Sequence, residues 1–346
     1  MGLHIVQERY AIRDSPTLQV IGGCVTNTVT VKQQEPRALC HFCKDEHLLQ
    51  AYATGKDIYA WMASIVYKTS YEDCLEFYPA GTVIQVDGKE VVTGNKTHTN
   101  WDGKKRRAAM KTVVLAILYG QSEQSTAEQL NITKQEAQNL YQMFFHEFPR
   151  IKDFMSQSQT FAKQHGFVET AAGRRRHLPD MMLPKYQFER IGTMSSSFNV
   201  TFDDDVQVVD TFDLECVQLG KKLESVKWWK EKQSIISEAY SRGIKITENT
   251  MKISDAERQC VNSRIQGTAA DISKLAMLAL YNNEELKKLG YRMLMCIHDE
   301  VIGECPEENV ERVAELVPQV MVDSVKDFIS VPMKCDVAVS TEWEGE

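Results

Sequence analysis

One run of side chains that repeats every four residues constrains this chain most strongly. In RRAAMKTVVLAILYG (106–120), the spacing places Arg107, Lys111, Leu115 and Tyr119 in one row along a helix. The row begins with two cations, which bind phosphate oxygens well, and ends with an aromatic ring that can pack against a base. The segment therefore predicts either a helix that grips a polyphosphate and a base, or a half-buried helix with solvated basic residues.

The charge distribution leaves nucleic acid open as a partner. The 346 residues carry a net charge of −8, which argues mildly against it, but cations concentrate locally around Lys104–Lys111 and again at Arg174–Arg176. The second cluster either contacts phosphate, or packs against another part of the chain, or is a solvated loop. Acidic residues concentrate elsewhere, notably at 203–205.

The composition also indicates in which cellular compartment we expect the protein. No apolar run is long enough to span a bilayer, and the first residues do not form a secretory signal. Nine cysteines without a framework spacing predict reduced thiols. We therefore expect an intracellular protein (in the bacterial cytoplasm, if it is phage or bacterial) that is not secreted and has no membrane partner.

Four segments, taken together and in this order, resemble family A DNA polymerases, the polymerase I type, in a compact phage-like form. The resemblance runs from about Gln33 to the C-terminus, apart from two insertions. Its segments are the row above, similar to motif B; FVETAAGRRRHLPD (167–180), similar to the stretch that closes the fingers; ERQCVNSRIQGTAADISKLAM (257–277), similar to the palm helix at the primer–template; and MLMCIHDEVIGE (293–304), similar to motif C.

The resemblance implies an α+β fold, with an incomplete palm of antiparallel sheet and helices and with mostly helical fingers. We expect no thumb and no exonuclease domain in these 346 residues. The implied organisation is an unassigned leader at 1–32, palm at 33–54, fingers at 55–190 with a hairpin insertion near 75–103, an insertion subdomain at 191–256, and palm with motif C at 257–346.

The implied reaction is template-directed nucleotidyl transfer in DNA replication, with dNTPs and primer–template DNA as partners and two Mg²⁺ ions as cofactors. By position, Arg107 and Lys111 hold the triphosphate, and Lys111 can protonate the leaving pyrophosphate. Leu115 and Tyr119 line the nascent base pair. Gln33 and Glu35 match the end of motif A and are also implied at the nucleotide site, where Glu35 crowds the sugar 2′ position.

DNA and metal contacts are implied on the later segments. Arg258, Asn262 and Gln266 are four residues apart, and polar side chains on one helical face suit the acceptors of the minor groove. The alternative is a polar solvent face. The resemblance further makes His298 a primer-backbone contact, Asp299 a catalytic metal ligand and Glu300 a supporting carboxylate.

The chain departs from the family at one chemically decisive position. Five residues before Glu35, where the family has a metal-binding aspartate, this sequence has Thr30. A neutral hydroxyl cannot replace a carboxylate that bridges two Mg²⁺ ions, and Asp299 alone would leave them under-neutralised. Asp14 or Glu8 could substitute, although neither has the motif around it. We therefore expect this chain alone to be incomplete or inactive.

Several alternatives remain open. One is a polymerase that has lost catalysis. Another is that the first 30 or so residues are not polymerase sequence, which is favoured because the resemblance begins abruptly at about Gln33. An upstream polymerase segment would then be supplied by splicing or in trans. A different class is a catalytically dead DNA-binding or accessory protein, or half of a split polymerase.

Two residue pairs need separate interpretations. Trp228 and Trp229 either stack on bases or, more commonly for such a subdomain, pack it on its neighbour. Cys40 and Cys43 have the spacing of a metal pair, but no second pair accompanies them, so they are interpreted as structural.

Overall fold

The computed structural model describes residues 24–86, 89–191, 197–199 and 211–340. Its helices are α1 (Gln34–Cys43), α2 (Glu46–Ala53), α3 (Ile58–Tyr67), α4 (Trp101–Leu118), α5 (Glu123–Leu130), α6 (Lys134–Glu147), α7 (Pro149–His165), α8 (Thr211–Ser225), α9 (Trp229–Ser241), α10 (Thr250–Asn282), α11 (Glu284–Lys288) and α12 (Val310–Asp323). Its strands are β1 (Cys24–Val31), β2 (Val83–Val86), β3 (Lys89–Val92), β4 (Phe167–Glu169), β5 (Arg175–His177), β6 (Tyr186–Arg190), β7 (Ser197–Asn199), β8 (Ile244–Glu248), β9 (Arg292–Ile297), β10 (Glu300–Pro306) and β11 (Cys335–Ser340).

The fold is α+β, as predicted, and the chain divides into two compact units. Unit 1 combines the described residues up to Gly55 with those from Thr268 onward, and unit 2 is Lys56–Gly267. All the strand pairs in the described residues are antiparallel. None of the helices in these residues combines the length and the apolar character that a membrane span needs.

Unit 1 contains a four-stranded sheet in the order β11-β1-β10-β9. β1, which falls within the predicted leader 1–32, is an inner strand of this sheet. Val29 and Val31 of β1 belong to the buried core of the unit, while Thr26 Oγ1 donates to the Ser340 carbonyl at 2.7 Å. Asn27, fully buried on the valine face, interrupts the apolar alternation that would have marked the strand.

Residues 293–304, the segment similar to motif C, form the strands β9 and β10, which pair through a two-residue turn. The pairing shifts between Ile302 and Gly303. A Cβ atom at Gly303 would lie 2.5 Å from Cζ and from the hydroxyl oxygen of Tyr291, a ring buried in the core of unit 1. Glycine is therefore needed here so that the strand backbone and the ring can approach.

Unit 2 contains the predicted helical segments. The motif B segment is helical in α4, as predicted, and Thr133 caps α6 in a capping box with Glu136. β2 and β3 form the predicted hairpin, whose connecting residues 87–88 lie outside the described residues.

The predicted insertion near 191–256 contains a small subdomain with a hydrophobic core of its own. Its sheet, in the order β7-β6-β8, begins at Tyr186, before the predicted boundary. α8 and α9 supply the other buried apolar residues, among them Leu223 and Ile235. The acidic run at 203–205 lies outside the described residues.

The pKa of the buried Cys260 thiol gives a pH prediction. Cys260 packs in a small core between α7, β4 and α10, where burial raises its pKa from an ordinary 9.0 to about 11. The folded state therefore favours the protonated thiol. This stabilisation is complete below pH 9 and is lost as the pH rises through the folded value near 11. We expect the stability advantage of the wild type over Cys260→Ala to shrink by about 2 kcal/mol between pH 8 and pH 10.5. Urea unfolding at both pH values measures it, and an unchanged difference would contradict the assignment.

Candidate functional site

The motif B row lies on α4, as predicted. Asn100 caps the helix by accepting a hydrogen bond from the Gly103 amide at 3.0 Å. Along the helix, Lys111 is exposed and Leu115 is half-buried. Tyr119 follows the last helical residue and is also half-buried, so the aromatic end of the row stands where the helix terminates.

Arg107, the first cation of the row, is bound by an acidic partner that the sequence did not reveal. Its Nε donates to Asp57 Oδ1 at 3.1 Å and its Nη2 to Asp57 Oδ2 at 2.8 Å, a bidentate pair. Asp57 also caps α3 through the Ala60 amide at 2.9 Å. Burial lowers the pKa of Arg107, but hydrogen bonding and the charge of Asp57 outweigh this effect, so the pKa is raised. The helix-capping pattern could have identified Asp57 as a cap, but not as the partner of a residue 50 positions away.

The polar row of α10 lies on one face, as the four-residue spacing predicts. Arg258 and Gln266 are exposed and Asn262 is half-buried. The aliphatic part of Arg258 lies against Gly120, whose φ of +64° is left-handed and where a Cβ would approach Arg258 Cγ to 2.6 Å. Gly120 thus ends the motif B segment with a conformation and a packing contact that both favour glycine.

The motif C turn presents its polar residues at the tip of the β9–β10 hairpin. His298 is exposed and has a left-handed φ of 54°, and Asp299 and Glu300 are half-buried. The Asp299 carbonyl accepts the Val31 amide at 3.0 Å, which joins the turn to the end of β1.

Thr30 stands on β1 beside this turn. It is registered with Glu300 of β10 on one side and with Asp336 of β11 on the other. Its hydroxyl donates to Glu300 Oε1 at 3.1 Å. Two residues later, Lys32 forms an ion pair with Asp336.

The donors around this turn do not fit two Mg²⁺ ions. β1 offers a hydroxyl that already donates to Glu300, and an ammonium group lies beside it on Lys32. A divalent ion prefers carboxylate oxygens and is disfavoured by a nearby cation. Within the described residues, His, Cys, Asp and Glu side chains nowhere group in threes as a metal site would need. The alternative donors Asp14 and Glu8 lie outside the described residues.

The end of motif A continues into α1. Gln33 precedes the helix with a left-handed φ of 53°, and Glu35 is half-buried in the first turn. Arg37 of the same helix is buried. Its Nε donates to the Lys32 carbonyl at 2.9 Å, and its Nη1 donates to the Pro332 carbonyl. This arginine therefore fixes the chain between β1 and α1 rather than facing solvent.

The arginine-rich stretch makes contacts within the protein. Arg174 Nη2 donates to the Gly267 carbonyl of α10 at 2.9 Å, and Arg175 pairs with Glu169 across the β4–β5 hairpin at 2.9 Å. Their side chains are nevertheless exposed, as is that of Arg176.

The two residue pairs that were interpreted separately have different outcomes. Cys40 and Cys43 are buried on α1, in accord with a structural role. Trp228 and Trp229 are 78% and 70% exposed, so most of each ring is left uncovered by the rest of the chain.

The predicted site residues thus fall into two groups. Gln33, Glu35, His298, Asp299 and Glu300 belong to unit 1, where the last two lie beside β1. The second group lies in unit 2 on α4, at its end, and on α10: Arg107, Lys111, Leu115, Tyr119, Arg258, Asn262 and Gln266.

Most of the chain matches one known family. The profile of DNA polymerase family A matches residues 91–202 and 192–345. DNA polymerase I of Geobacillus stearothermophilus is 30% identical over 311 residues, which are 90% of this chain and 25% of that protein. The thermostable DNA polymerase I of Thermus aquaticus is 27% identical over 321 residues, 93% of this chain and 27% of that protein. The chain therefore belongs to DNA polymerase family A.

The fold agrees with this assignment. A solved structure described as the POL domain of Pol1 from M. smegmatis, in complex with DNA primer-template and dNTP, superposes with a TM-score of 0.62 at 21% identity. The match covers 94% of this chain and 41% of that one. This chain spans about a quarter of the length of the curated relatives it matches.

Proposed function

We propose that this chain is the nucleotide- and primer–template-binding C-terminal part of a family A DNA polymerase, one that does not catalyse nucleotidyl transfer unless a further carboxylate is supplied. The observation that carries the proposal is the hydrogen bond from Thr30 to Glu300. It supports a neutral hydroxyl standing where the family reaction needs a metal-binding carboxylate. The family lineage and the intact motif residues support the binding half of the proposal.

The nucleotide would bind along α4. Arg107 and Lys111 supply two cations, one helical turn apart, for the triphosphate. Lys111 is exposed, so its ammonium can reach a phosphate and, in a completed site, protonate the leaving pyrophosphate. Leu115 and Tyr119 are half-buried and would supply an apolar side chain and an aromatic ring for packing against the nascent base pair. Gln33 and Glu35 of unit 1 are assigned nucleotide contacts by the family resemblance, with Glu35 disfavouring a 2′-hydroxyl.

The primer–template would bind the polar face of α10. Arg258 and Gln266 are exposed for minor-groove contacts that check base-pair geometry without reading sequence. Asn262 belongs to the same face. His298, exposed at the hairpin tip, would contact the primer backbone. The palm and fingers assignments carry over in the same way, to the sheet of unit 1 and the helices of unit 2.

Mg²⁺ is the cofactor that the family reaction uses, and Asp299 is the residue that we expect to bind it. Glu300 is its neighbouring carboxylate, but the Thr30 hydroxyl and the Lys32 ammonium oppose a second ion. The proposal therefore assigns binding to this chain and leaves catalysis to a completed site.

The burial of β1 bears on how the carboxylate was lost. Val29 is fully buried, and β1 pairs with a strand on each side. Such integration supports residues 24–31 as a native strand that lost its aspartate, rather than foreign sequence. Sequencing of the transcript across the codons for residues 25–35 tests this point. A splice junction inside those codons would contradict it.

Primer extension combined with DNA binding tests the proposal. The full chain should bind a fluorescent primer–template with a salt-dependent affinity and should not extend it with Mg²⁺ and four dNTPs. An Asp299→Ala control identifies extension by a contaminating polymerase, because only extension by this chain should disappear. Extension that this control abolishes would overturn the assignment of an incomplete site. Absence of DNA binding would overturn the proposal as a whole.

A separate experiment distinguishes a split polymerase from a binding protein. A polypeptide carrying the thumb and an intact motif A of a family A enzyme is added in trans. Restored extension would favour half of a split enzyme. Continued binding without extension would favour a dead DNA-binding protein.

The ion pair between Arg107 and Asp57 predicts a competition with the nucleotide. The Asp57→Asn variant keeps a side chain that caps α3 but weakens the pair. Because Arg107 is then freer to bind phosphate, we expect dNTP affinity to rise by about three- to tenfold. Isothermal titration with a dNTP measures the change. Lys111→Ala should weaken binding in both backgrounds equally, whereas lower affinity in Asp57→Asn would contradict the competition.

A further inference from the structure

Two adjacent tryptophans stand in solvent on the inserted subdomain. Trp228 is 78% exposed and Trp229 is 70% exposed, at the point where the α8–α9 connection enters α9. Large aromatic side chains normally bury most of their surface on folding, so a neighbouring exposed pair marks a binding surface.

The core of the subdomain does not need these rings. It is closed by Tyr186 and Phe188 of β6, by Leu219 and Leu223 of α8, and by Ile235 of α9. Val226 packs against its edge, just before the tryptophans. The two rings are therefore not part of the hydrophobic core of the subdomain.

The rings are flanked by cations. The segment 221–232, KKLESVKWWKEK, contains five lysines and two glutamates in a chain whose net charge is −8. Lys227 and Lys230 directly flank the pair and are exposed. Two of these charges have partners outside the segment: Glu224 Oε1 lies 3.7 Å from Lys185 Nζ, and Lys232 Nζ lies 3.8 Å from Glu248 Oε1. Lys221, Lys222, Lys227 and Lys230 then remain beside Glu231 alone.

We propose that Trp228 and Trp229 form a platform for single-stranded DNA, with the flanking lysines on its phosphates. Indole rings stack on the face of any unpaired base, and nearby ammonium groups neutralise the backbone. The charge of the segment decides the occupant: an anionic, aromatic ligand satisfies both the rings and the lysines. Duplex DNA keeps its bases stacked internally and offers only phosphates, so the platform discriminates in favour of unpaired strands. This proposal is independent of the nucleotide and primer–template sites described above.

Fluorescence anisotropy with a labelled oligo(dT) of about 20 nucleotides tests the proposal on the full chain. Stacking contributes on the order of a tenfold change in affinity or more per base. We expect the Trp228→Ala/Trp229→Ala variant to lose at least about tenfold in affinity for oligo(dT). It should bind a blunt duplex like the wild type, which separates this site from the primer–template face.

Three matched variants make the result specific. Trp228→Phe/Trp229→Phe should retain most of the affinity, because phenylalanine also stacks. Tyr240→Ala, which removes a 61% exposed ring of α9 from the same subdomain, should change nothing. Lys227→Ala/Lys230→Ala should reduce the slope of log affinity against log salt by about 1.4.

Three outcomes would overturn the proposal. Unchanged oligo(dT) affinity in the double alanine variant would show that the rings do not bind DNA. An equal loss in the phenylalanine variant would show that stacking is not the cause. Capture of the wild type, but not the double alanine variant, by anionic lipid vesicles in place of oligo(dT) would assign the platform to membranes.

Discussion

Thr30→Asp combined with Lys32→Ser is expected to create a divalent-metal site at the tip of the β9–β10 hairpin. In the wild type, the Thr30 hydroxyl donates to Glu300 and the Lys32 ammonium pairs with Asp336. The double substitution adds a carboxylate to those of Asp299 and Glu300 and removes the ammonium group of Lys32. We expect Mn²⁺, a probe that accepts the same oxygen ligands as Mg²⁺, to bind at least about tenfold more tightly.

Electron paramagnetic resonance of free Mn²⁺ during a titration measures this change without reference to activity. Thr30→Asn with Lys32→Ser is the matched control, because it removes the cation and adds only a neutral side chain. If the wild type binds Mn²⁺ as tightly as the Thr30→Asp variant, Asp299 and Glu300 suffice, and the account of the missing ligand is wrong. Metal binding by the variant without primer extension would show that the site needs more than this one carboxylate.

Gly303→Ala is expected to destabilise unit 1 strongly. The new methyl group would lie 2.5 Å from Cζ of the buried Tyr291 ring, which must move out of the core or push the β10 backbone aside. Overpacking of this kind costs about 1–3 kcal/mol, and we expect the contact with a buried ring to lie at the upper end of this range.

A double-mutant cycle identifies the cause. Tyr291→Ala alone should cost roughly 3 kcal/mol through the lost ring, but Gly303→Ala should then add little, because the methyl group enters the vacated space. Urea unfolding of the four proteins gives the coupling energy. Additive effects would contradict the ring contact and would instead indicate a backbone requirement for glycine.

Local patterns predicted local structure well. The four-residue repeat predicted α4, the Thr-x-x-Glu pattern before α6 is typical of a capping box, and two apolar runs around three consecutive polar residues are typical of a hairpin such as β9–β10. Each of these depends on residues within about one helical turn or one hairpin. The resemblance to family A polymerases predicted the α+β fold and the family itself.

Contacts between distant segments could not be predicted. Arg107 and Asp57 are 50 residues apart, and Lys32 pairs with Asp336 near the other end of the chain. No periodicity in the sequence links such residues, and only the packed fold brings them together. The same limit explains β1: its valines alternate only on either side of the buried Asn27, and its partners β10 and β11 lie nearly 300 residues later. The exposure of Trp228 and Trp229 likewise depends on a core that other residues complete.

The arrangement of β1 also dictates an order of events during synthesis. Thr26 is hydrogen-bonded to Ser340, 314 residues later, so the sheet of unit 1 cannot close until the last strand has left the ribosome. Unit 2, in contrast, is one continuous segment, Lys56–Gly267, and all its residues emerge earlier. Contacts of such long sequence separation form slowly, because closing a long loop has an entropic cost. In the nascent chain, unit 2 should therefore fold first, while β1 stays unpaired and accessible to chaperones until β10 and β11 have been synthesised.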